Sequence, residues 1–443
     1  MQKHLQKTLQ QYPQLQNAKR IWIGFSGGVD SSVLLHALAS EPHLKPKLQA
    51  LHIHHGLSQH ADQWVQHCEQ VCTAHGVALH VERVDVSEQG SLEQQARAAR
   101  YDVFESYVQH DDVLVLGHHQ DDQVETFMMR LMRGSGLTGL TAMEDERPLK
   151  SGLLVRPLLS FSRQQIEGYA QQQGLNWVED ESNQDTSLDR NWWRNALLPA
   201  LEARYPQARQ SLLKTLTVLQ DELALLQDLL QPVYQEVVDE QGCLSLSALG
   251  EQAPSLQNQM VRMWQAQRGH YPLLNDVQIQ QLLNDFLNSR DDAEPLFEWQ
   301  SNEANNQSGH QIRRYQDRLH IMAALPEPKP FCFELDLMEP FEQTIPLPFG
   351  VLSVVAAKEG LKPNVYELIN YNGALKAKPE KRPSKTLKKW FQELGVAPWL
   401  RPHWPVLMHQ GEVAAIPGLF ICEGYGHPHG LSLMINQAVL NKK

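Results

Sequence analysis

A short turn near the amino end of the chain has the composition of a phosphate-binding loop. It follows the apolar run Ile21–Phe25 and consists of Ser26, Gly27, Gly28, Val29, Asp30 and Ser31, written SGGVDS. Glycine lets the backbone approach an anion closely, and the amides at the start of a following helix point towards that anion. The serine hydroxyls add further donors. The segment therefore predicts a strand, a phosphate-binding turn and a helix, in that order.

Asp30 distinguishes this turn from the loop of the P-loop ATPases, in which a lysine reaches the terminal phosphates. No lysine is present in SGGVDS. A carboxylate beside a polyphosphate is repulsive unless a divalent cation lies between them, so Asp30 predicts a bound Mg²⁺. The alternative interpretation is an ordinary helix start, at which Asp30 and Ser31 only cap the backbone.

A second cluster of ionisable residues occurs in the segment GHHQDDQVET, which spans residues 117–126. Asp122 and Glu125 are three residues apart, so on a helix they share one face. Two carboxylates beside a phosphate site need a cation, which is either a metal or a positively charged substrate. They also suit the positive end of a helix dipole, which is the simpler interpretation. A metal hydrolase centre is a further alternative, with histidine ligands from His52, His54, His55, His118 and His119.

The elements that position both clusters alternate between strands and helices. The predicted strands are Ile21–Phe25, Leu48–His54, Ala78–Val84 and Val113–Leu116, and the predicted helices between them are Ser32–Ala39, Ala61–His75 and Ser91–Val108. This alternation is typical of a doubly wound parallel sheet, in which ligands bind at the carboxyl ends of the strands. The two clusters follow the first and fourth predicted strands, so we expect them to meet at one edge of the sheet.

The rest of the chain changes character twice. Residues 216–325 have mainly helical periodicity with a few strands, whereas residues 331–443 are punctuated by proline and glycine. Three prolines between these segments predict a stiff linker. We therefore predict an α/β catalytic domain over residues 1–215, a mostly helical domain over 216–325 and a small α+β domain over 331–443.

Composition limits the class of protein. The 443-residue chain has a formal net charge of −12, which argues against a general nucleic-acid coat, although the segment Lys376–Lys389 is locally basic. Five cysteines without CxxC spacing predict neither a disulfide framework nor a zinc site. No segment is apolar over about 18 residues, so we expect no membrane partner and a cytoplasmic protein. The residues leave the oligomeric state open.

The turn SGGVDS resembles the signature of the PP-loop ATP-pyrophosphatases, which cleave ATP between its α and β phosphates and adenylate their substrate. Further segments in the same order resemble the tRNA(Ile)-lysidine synthetase family: LHIHHGLS, ADQWVQHCEQVC, ARAARYDVF, GHHQDDQVETFMMRLMRGSGLTGL and WVEDESNQDTSLDRNWWRNALLP. The resemblance is weaker in the middle of the chain. It returns in SKTLKKWFQELGVAPWLRPHWPVL near the carboxyl end.

The resemblance implies a carbon–nitrogen ligase that acts on tRNA. ATP would adenylate O2 of the wobble cytidine in the isoleucine tRNA with a CAU anticodon, and pyrophosphate would leave. The ε-amine of free L-lysine would then attack C2 and displace AMP, which gives lysidine. ATP is the implied nucleotide substrate, and Mg²⁺ is the implied cofactor.

The resemblance also implies roles for individual residues. The ATP-binding set would comprise Ser26, Gly27, Gly28, Val29, Asp30 and Ser31, and Asp30 would also hold Mg²⁺. Asp122 and Glu125 would bind the ammonium group of lysine, and one of them would accept a proton from the attacking amine. The catalytic set would comprise Asp30, Asp122, Glu125, Arg97 and Arg190, and the tRNA contacts would comprise Arg194, Lys385, Lys388 and Lys389.

Two alternatives stay open from the residues alone. Another PP-loop tRNA modifier, such as a 2-thiolation enzyme, would use the same ATP chemistry but would need cysteines for sulfur transfer. A metal hydrolase based on histidine and aspartate would not use ATP. It also stays open whether His54, His55, His118 and His119 take part in the chemistry or order the loops.

Overall fold

The chain divides by its contacts into two compact units. The computed structural model describes residues 1–56, 58–84, 92–149, 151–268, 273–290, 293, 295–299, 309–338, 343–347 and 350–437. The first unit contains Met1–Glu236 with two short later pieces, and the second contains most of the chain from Val237 onward.

Six strands form the sheet of the first unit: β1 Ile21–Gly24, β2 Leu48–His54, β3 Ala78–Arg83, β4 Val113–Val115, β5 Glu146–Leu149 and β6 Gly152–Val155. They lie in the order β3-β2-β1-β4-β6-β5, and every neighbouring pair is parallel except β5 with β6. The register places Ile21 opposite both Leu48 and Val113. The apolar sequence of β1 suits this central position, because a parallel strand is buried on both faces.

Helices cover both faces of this sheet. The described helices of the first unit, only some of which pack on the sheet, are α1 Gln2–Gln10, α2 Pro13–Asn17, α3 Val29–Ala39, α4 Ala61–His75, α5 Leu92–Tyr107, α6 Gln120–Met132, α7 Leu137–Leu140, α8 Arg163–Gln172, α9 Asp189–Trp192, α10 Leu198–Arg204 and α11 Ala208–Val237. Ile23 of β1 packs in one apolar cluster with Leu34 of α3, whereas Trp22 packs in another with Phe104 of α5. The predicted doubly wound fold is therefore confirmed. No helix in the described ranges has both the length and the apolar character that crossing a membrane requires.

The sequence predicted most of these bounds but not the far edge of the sheet. β2 and α4 have the predicted bounds, and α3 begins at Val29 rather than at Ser32. The helix start predicted at Ser91 lies outside the described residues. The sequence did not predict β5 and β6. Because β5 runs antiparallel to β6, the sheet is not wholly parallel. The connection from Leu149 to Gly152 is too short for a crossover, so the two strands pair as an antiparallel hairpin.

The first part of the second unit combines helices with a small antiparallel sheet. Its helices are α12 Leu246–Gly250, α13 Pro254–Arg268 and α14 Asp276–Leu287, and its strands are β7 Leu244–Ser245, β8 Leu296–Trp299, β9 His310–Tyr315 and β10 Arg318–Ala323. The strands lie in the order β7-β10-β9-β8. The boundary predicted after residue 215 falls inside α11, whose apolar periodicity continues past it. The division into three domains stays a prediction.

The last part of the chain is built mainly from antiparallel strands. They are β11 Cys332–Asp336, β12 Gln343–Leu347, β13 Gly350–Leu361, β14 Val365–Asn370, β15 Lys376–Ala377, β16 Lys385–Thr386, β17 Pro405–His409, β18 Glu412–Ile416, β19 Phe420–Ile421, β20 Gly426–Pro428 and β21 Leu431–Gln437. One further helix, α15 Leu387–Glu393, buries Trp390 and Phe391 in an apolar cluster with Trp404. The prediction that this segment combines strands with a helix is therefore confirmed.

Candidate active site

The turn between β1 and α3 has the geometry of an anion-binding loop. Gly27 has a φ of +84°, which favours glycine, and a Cβ at this position would lie 2.9 Å from the Cys68 sulfur. The hydroxyl of Ser31 donates to the carbonyl of Gly28 at 3.0 Å and lies 3.2 Å from the hydroxyl of Ser26. The N-cap residue of α3 is Gly28, which has no side chain to bond the first amides of the helix. These amides are therefore free to bind an anion.

Asp30 lies at the start of α3 with its two carboxylate oxygens in different surroundings. Oδ2 accepts a hydrogen bond from Arg163 at 2.7 Å. Oδ1 is buried without a hydrogen-bond partner and lies 3.6 Å from His119 Nε2. Burial raises the pKa of Asp30, although His119 and Arg163 oppose this shift. The structure therefore leaves one buried acceptor that a cation would satisfy.

This donor set fits a Mg²⁺ ion that arrives with a nucleotide. The described residues contain no group of three or more histidine, cysteine or acidic side chains able to hold a metal alone. Mg²⁺ commonly uses one or two protein carboxylates, and substrate phosphates and water complete its coordination. Asp30 Oδ1 is such a carboxylate oxygen.

The start of α6 orients the second acidic cluster. The ring nitrogen Nδ1 of His119 accepts from the amide of Asp121 at 3.2 Å, and Asp122 Oδ2 accepts from the amide of His119 at 2.9 Å. This reciprocal pair is a capping box, which fixes the first turn of the helix. Glu125 follows one turn later on the same face and is fully buried. Asp122 therefore caps the start of α6 through Oδ2, and its other oxygen, Oδ1, faces the site.

Two arginines clamp the acidic pair. Arg190 donates to Glu125 Oε2 at 2.7 Å and to Asp122 Oδ1 at 2.8 Å. Arg194 donates to Glu125 Oε1 at 2.6 Å and Oε2 at 3.0 Å, and its Nη2 lies 3.3 Å from Asp122 Oδ1. The four residues that the sequence placed in the catalytic and binding sets therefore form one ion network.

The network controls the charge of Asp122. Burial alone would raise the pKa of Asp122, but Arg190, His119 and His118 hold that pKa well below its usual range. An aspartate with a depressed pKa is a strong cation ligand and a weak proton acceptor. While the arginines stay in contact, Asp122 is suited to binding rather than to general-base catalysis.

A local change of helix type places the two arginines. α9 carries Arg190, and the π turn Trp193–Leu197 that joins α9 to α10 carries Arg194. Such π turns are rare and occur frequently at functional sites. The spacing in the sequence predicted a shared helix face, but it gave no signal of the π turn.

Further arginines that the sequence analysis missed support this site. Arg163 contacts Asp30 through its side chain, and its amide donates to Asp121 Oδ2 at 2.9 Å. Arg209 pairs with Asp121 and donates to Glu202 at 2.9 Å. Asp30 and Asp121, which these arginines contact in the site, are distant from them in the chain, so no local spacing could identify these contacts.

Three of the four histidines near the strand ends have side-chain or backbone partners, whereas His55 Nδ1 is buried without a hydrogen-bond partner among the described residues. His118 accepts a hydrogen bond at Nδ1 from buried Arg156 at 3.3 Å, and burial lowers its pKa well below the usual value. Burial and the nearby Arg100 lower the pKa of His55 to about 4. His54 Nε2 lies 3.4 Å from Asp62. His119 caps α6, as described above.

The remaining predicted residues have other surroundings. The guanidinium of Arg97 lies 5.0 Å from the ring centre of Tyr101. In the second unit, Lys385 pairs with Glu393 and lies 4.8 Å from the ring centre of buried Trp390. Lys388 and Lys389 are exposed on α15. Their roles as tRNA contacts stay predictions.

A cavity of about 920 Å³ opens beside the acidic pair. Glu125, Arg194 and His119 line it, together with Arg163 and Arg209. Its walls are mostly polar and carry both signs of charge. The volume is sufficient for a small polar substrate next to Glu125.

Three family profiles match the chain in sequence order. A profile described as a PP-loop domain matches residues 1–201. One described as a TilS substrate binding domain matches residues 244–320, and one described as a TilS substrate C-terminal domain matches residues 368–433. Together they cover the α/β unit and both parts of the second unit.

Curated relatives match over nearly the whole chain. The tRNA(Ile)-lysidine synthase of Vibrio vulnificus (strain YJ016) is 39% identical over 434 residues, which is 94% of this chain and 95% of that protein. The tRNA(Ile)-lysidine synthase of Haemophilus influenzae (strain PittGG) is 34% identical over 95% of this chain and 97% of that protein. A solved structure of the U34-tRNA thiolase NcsA from Methanococcus maripaludis is 17% identical, with a TM-score of 0.41 over 49% of this chain and 78% of that chain.

Replacing Gly27 by alanine tests the turn. The left-handed backbone costs an alanine about 1–2 kcal/mol, and the approach to Cys68 adds about 1–3 kcal/mol of overpacking. Gly174→Ala is the matched control, because Gly174 has a φ of +62° and an added methyl group there would meet no atom within 4 Å. We expect Gly27→Ala to lose more unfolding free energy than Gly174→Ala in urea titrations. Equal losses would contradict the close contact with Cys68.

Replacing Asp122 by asparagine tests its charge state. Because the pKa of Asp122 is depressed in the folded protein, its stabilisation is present above the unfolded pKa of about 3.9 and is lost as pH falls towards the folded pKa. We expect Asp122→Asn to be less stable than the wild type at pH 7 and to lose less stability between pH 4 and pH 2. Asp228→Asn, an exposed site on α11, is the control. If Asp122→Asn lost as much stability as the wild type between pH 4 and pH 2, the depressed pKa of Asp122 would be contradicted.

Proposed function

Because this chain belongs to the tRNA(Ile)-lysidine synthase family, we propose that it joins free L-lysine to C2 of the wobble cytidine of an isoleucine tRNA with a CAU anticodon. The reaction consumes ATP and releases AMP and pyrophosphate. The observation that carries this proposal is the position of Asp30 Oδ1 only 3.6 Å from His119, which begins the helix of the acidic pair. A phosphate-binding turn and a cation-binding pair therefore share one edge of the sheet. We place the reaction in the cytoplasm as part of the same proposal.

In the first step, O2 of the cytidine forms a bond to the α-phosphorus of ATP. The bond between the α-phosphorus and the bridging oxygen breaks, and pyrophosphate leaves. The free amides at the start of α3 and the hydroxyls of Ser26 and Ser31 suit the pyrophosphate part of ATP. Asp30 would hold Mg²⁺, which offsets the negative charge of the phosphates.

In the second step, the ε-nitrogen of lysine forms a bond to C2 of the cytidine. The C2–O2 bond breaks, and AMP leaves with that oxygen. Asp122 and Glu125 suit the ammonium group of lysine, because both carboxylates are buried and Asp122 is held ionised. Lysine would exchange with the guanidinium groups of Arg190 and Arg194, which then become available to phosphate groups.

This exchange also supplies a proton acceptor. A protonated amine is not a nucleophile, so the ammonium group must lose a proton before it attacks C2. When Arg190 leaves Asp122, the largest force that depresses the pKa of this carboxyl is removed. We propose that Asp122 or Glu125 accepts the proton in that state.

Contacts to tRNA outside the reaction centre would come from the second unit. Lys388 and Lys389 lie exposed on α15 and have no ion pair within the described residues. They suit phosphate groups of the tRNA. Lys385 is less available, because it pairs with Glu393.

Neither alternative from the sequence is favoured. Sulfur transfer needs a reactive thiol, but burial raises the pKa of Cys68 and the pKa of Cys72 to about 12. A metal hydrolase needs a set of protein ligands, and the described part of the chain contains no such group. The curated relatives named above are lysidine synthases rather than thiolases.

Incorporation of lysine tests the proposed function directly. Purified protein is incubated with Mg-ATP, radiolabelled L-lysine and an unmodified CAU-anticodon isoleucine tRNA. We expect one lysine per tRNA, with equal release of AMP and pyrophosphate. The matched control is the same tRNA with uridine in place of the wobble cytidine, which should accept none. Release of AMP without incorporation of lysine would overturn the choice of substrate.

Two variants separate the proposed steps. Asp30→Asn should stop pyrophosphate release, because the Mg²⁺ ligand is lost before adenylation. Glu125→Gln should raise the KM for lysine more strongly than the KM for ATP, because its charge serves the ammonium group. Pyrophosphate release and lysine transfer are measured separately with labelled ATP and labelled lysine. Equal loss of both steps in the two correctly folded variants would contradict the division of roles.

A further inference from the structure

Two arginines lie against the ring of Tyr101, which belongs to α5. The guanidinium carbon of Arg97 is 5.0 Å from the ring centre, and that of Arg147 on β5 is 5.2 Å from it. Arg97 precedes Tyr101 by one helical turn. The half-buried ring therefore holds two cations that come from different elements.

Two further arginines lie close to this pair, and each bonds to neutral acceptors. Arg156 donates to His118 at 3.3 Å and to the carbonyl of Glu144 at 2.6 Å. Arg130 donates to the carbonyls of Gly139 at 2.8 Å and Ala142 at 2.6 Å. We call Tyr101 with Arg97, Arg130, Arg147 and Arg156 the Tyr101 cluster. Neutral acceptors leave the full positive charge of these arginines in place.

The Tyr101 cluster differs in pairing from other arginines of the first unit. Among the described residues, at least six of the other arginines form ion pairs with aspartate or glutamate: Arg20, Arg83, Arg163, Arg190, Arg194 and Arg209. None of the four cluster arginines has an ion pair within the part of the chain that the structure describes. In a chain with a net charge of −12, four guanidiniums at one place without a direct ion pair indicate an external anion.

The pKa shifts of Tyr101 and Arg130 agree with a concentration of positive charge at this place. Burial would raise the pKa of Tyr101, but Arg97, Arg147 and Arg156 lower it to about 8. Burial and the neighbouring Arg97 lower the pKa of Arg130, Glu144 opposes this shift, and Arg133 adds to it. Arg156 in turn opposes the raised pKa of Asp145, so single carboxylates lie near two of the four arginines, while no described carboxylate pairs directly with any of them.

The cluster also lies beside the reaction centre. Arg147 pairs with Leu154 across the hairpin, and Arg156 directly follows the end of β6, so both lie near the carboxyl edge of the sheet. Arg156 contacts His118, which precedes the capping residue of α6. A cytidine that reacts with lysine held at Asp122 would carry the phosphates of its own strand past this edge.

We propose that the Tyr101 cluster binds backbone phosphates of the RNA strand next to the reacting cytidine. This inference rests on the proposed function for the identity of the RNA. It gives Arg97 a role towards the RNA backbone, whereas the family resemblance placed Arg97 in the catalytic set. Arg147, which no sequence motif indicated, becomes a determinant of RNA binding.

The test compares Arg147→Ala with Lys19→Ala in tRNA-binding titrations over a range of salt concentrations. Lys19 is exposed and precedes β1, so it lies at the opposite edge of the sheet. We expect Arg147→Ala to weaken tRNA binding and to reduce the slope of log K against log salt by about 0.7 to 0.9, which corresponds to one phosphate contact. Arg147→Lys should restore most of the slope. Lys19→Ala should match the wild type.

The hydroxyl of Tyr101 gives a second readout. Above a pH of about 8, ionised Tyr101 would neutralise the arginines and compete with phosphate. We expect the tRNA affinity of the wild type to fall as pH rises through this value. The affinity of Tyr101→Phe should fall less, because its ring still holds both arginines but cannot ionise. Bound tRNA should also raise the pKa of Tyr101 in ultraviolet difference titrations against Tyr101→Phe.

Two results would overturn the inference. In the first, Arg147→Ala keeps the affinity and slope of Lys19→Ala. In the second, Arg147→Ala changes only the KM for ATP, which would assign the cluster to the nucleotide. Both readouts measure binding of tRNA rather than chemistry. A protein that binds tRNA through the cluster but incorporates no lysine would therefore refute the proposed function and leave this inference standing.

Discussion

The buried ion network around Glu125 is the interaction on which the site depends. Glu125 has no exposed surface, and Asp122 is nearly as buried. Removing one partner from such a network leaves an uncompensated charge, which typically costs about 3–5 kcal/mol. A ligand that displaces Arg190 or Arg194 must therefore bring a cation of its own. The acidic pair therefore favours a ligand with an ammonium group. When that group binds, the guanidiniums of Arg190 and Arg194 leave the carboxylates and can contact phosphate.

The topology of the sheet brings the two halves of the chemistry together. β1 and β4 are neighbours, so the turn before α3 and the loop before α6 leave the sheet side by side. Asp30 and His119 consequently approach each other although 89 residues separate them, and Arg163 from α8 closes the gap from a third element. The antiparallel edge formed by β5 and β6 extends this same carboxyl edge and adds Arg147 and Arg156 to it.

The sequence predicted the parts of the fold that local patterns encode. Apolar runs located β1 to β4, and the composition of SGGVDS located the turn, because strand burial and glycine geometry depend on neighbouring residues. The spacing of Asp122 and Glu125 predicted a shared helix face for the same reason. β5 was missed because Glu146 and Arg147 break its apolar pattern. Arg163 and Arg209 were missed because Asp30 and Asp121, the carboxylates that they contact in the site, lie far away in the chain, and no single sequence carries that pairing.

The most direct test of the central claim is a crystal structure with L-lysine and a non-hydrolysable ATP analogue. The distances that decide it run from the lysine ε-nitrogen to the carboxylate oxygens of Asp122 and Glu125. We predict hydrogen-bond distances to both residues, with Arg190 and Arg194 moved from these oxygens towards phosphate. Lysine bound elsewhere, with both arginines still in contact with the acidic pair, would contradict the claim.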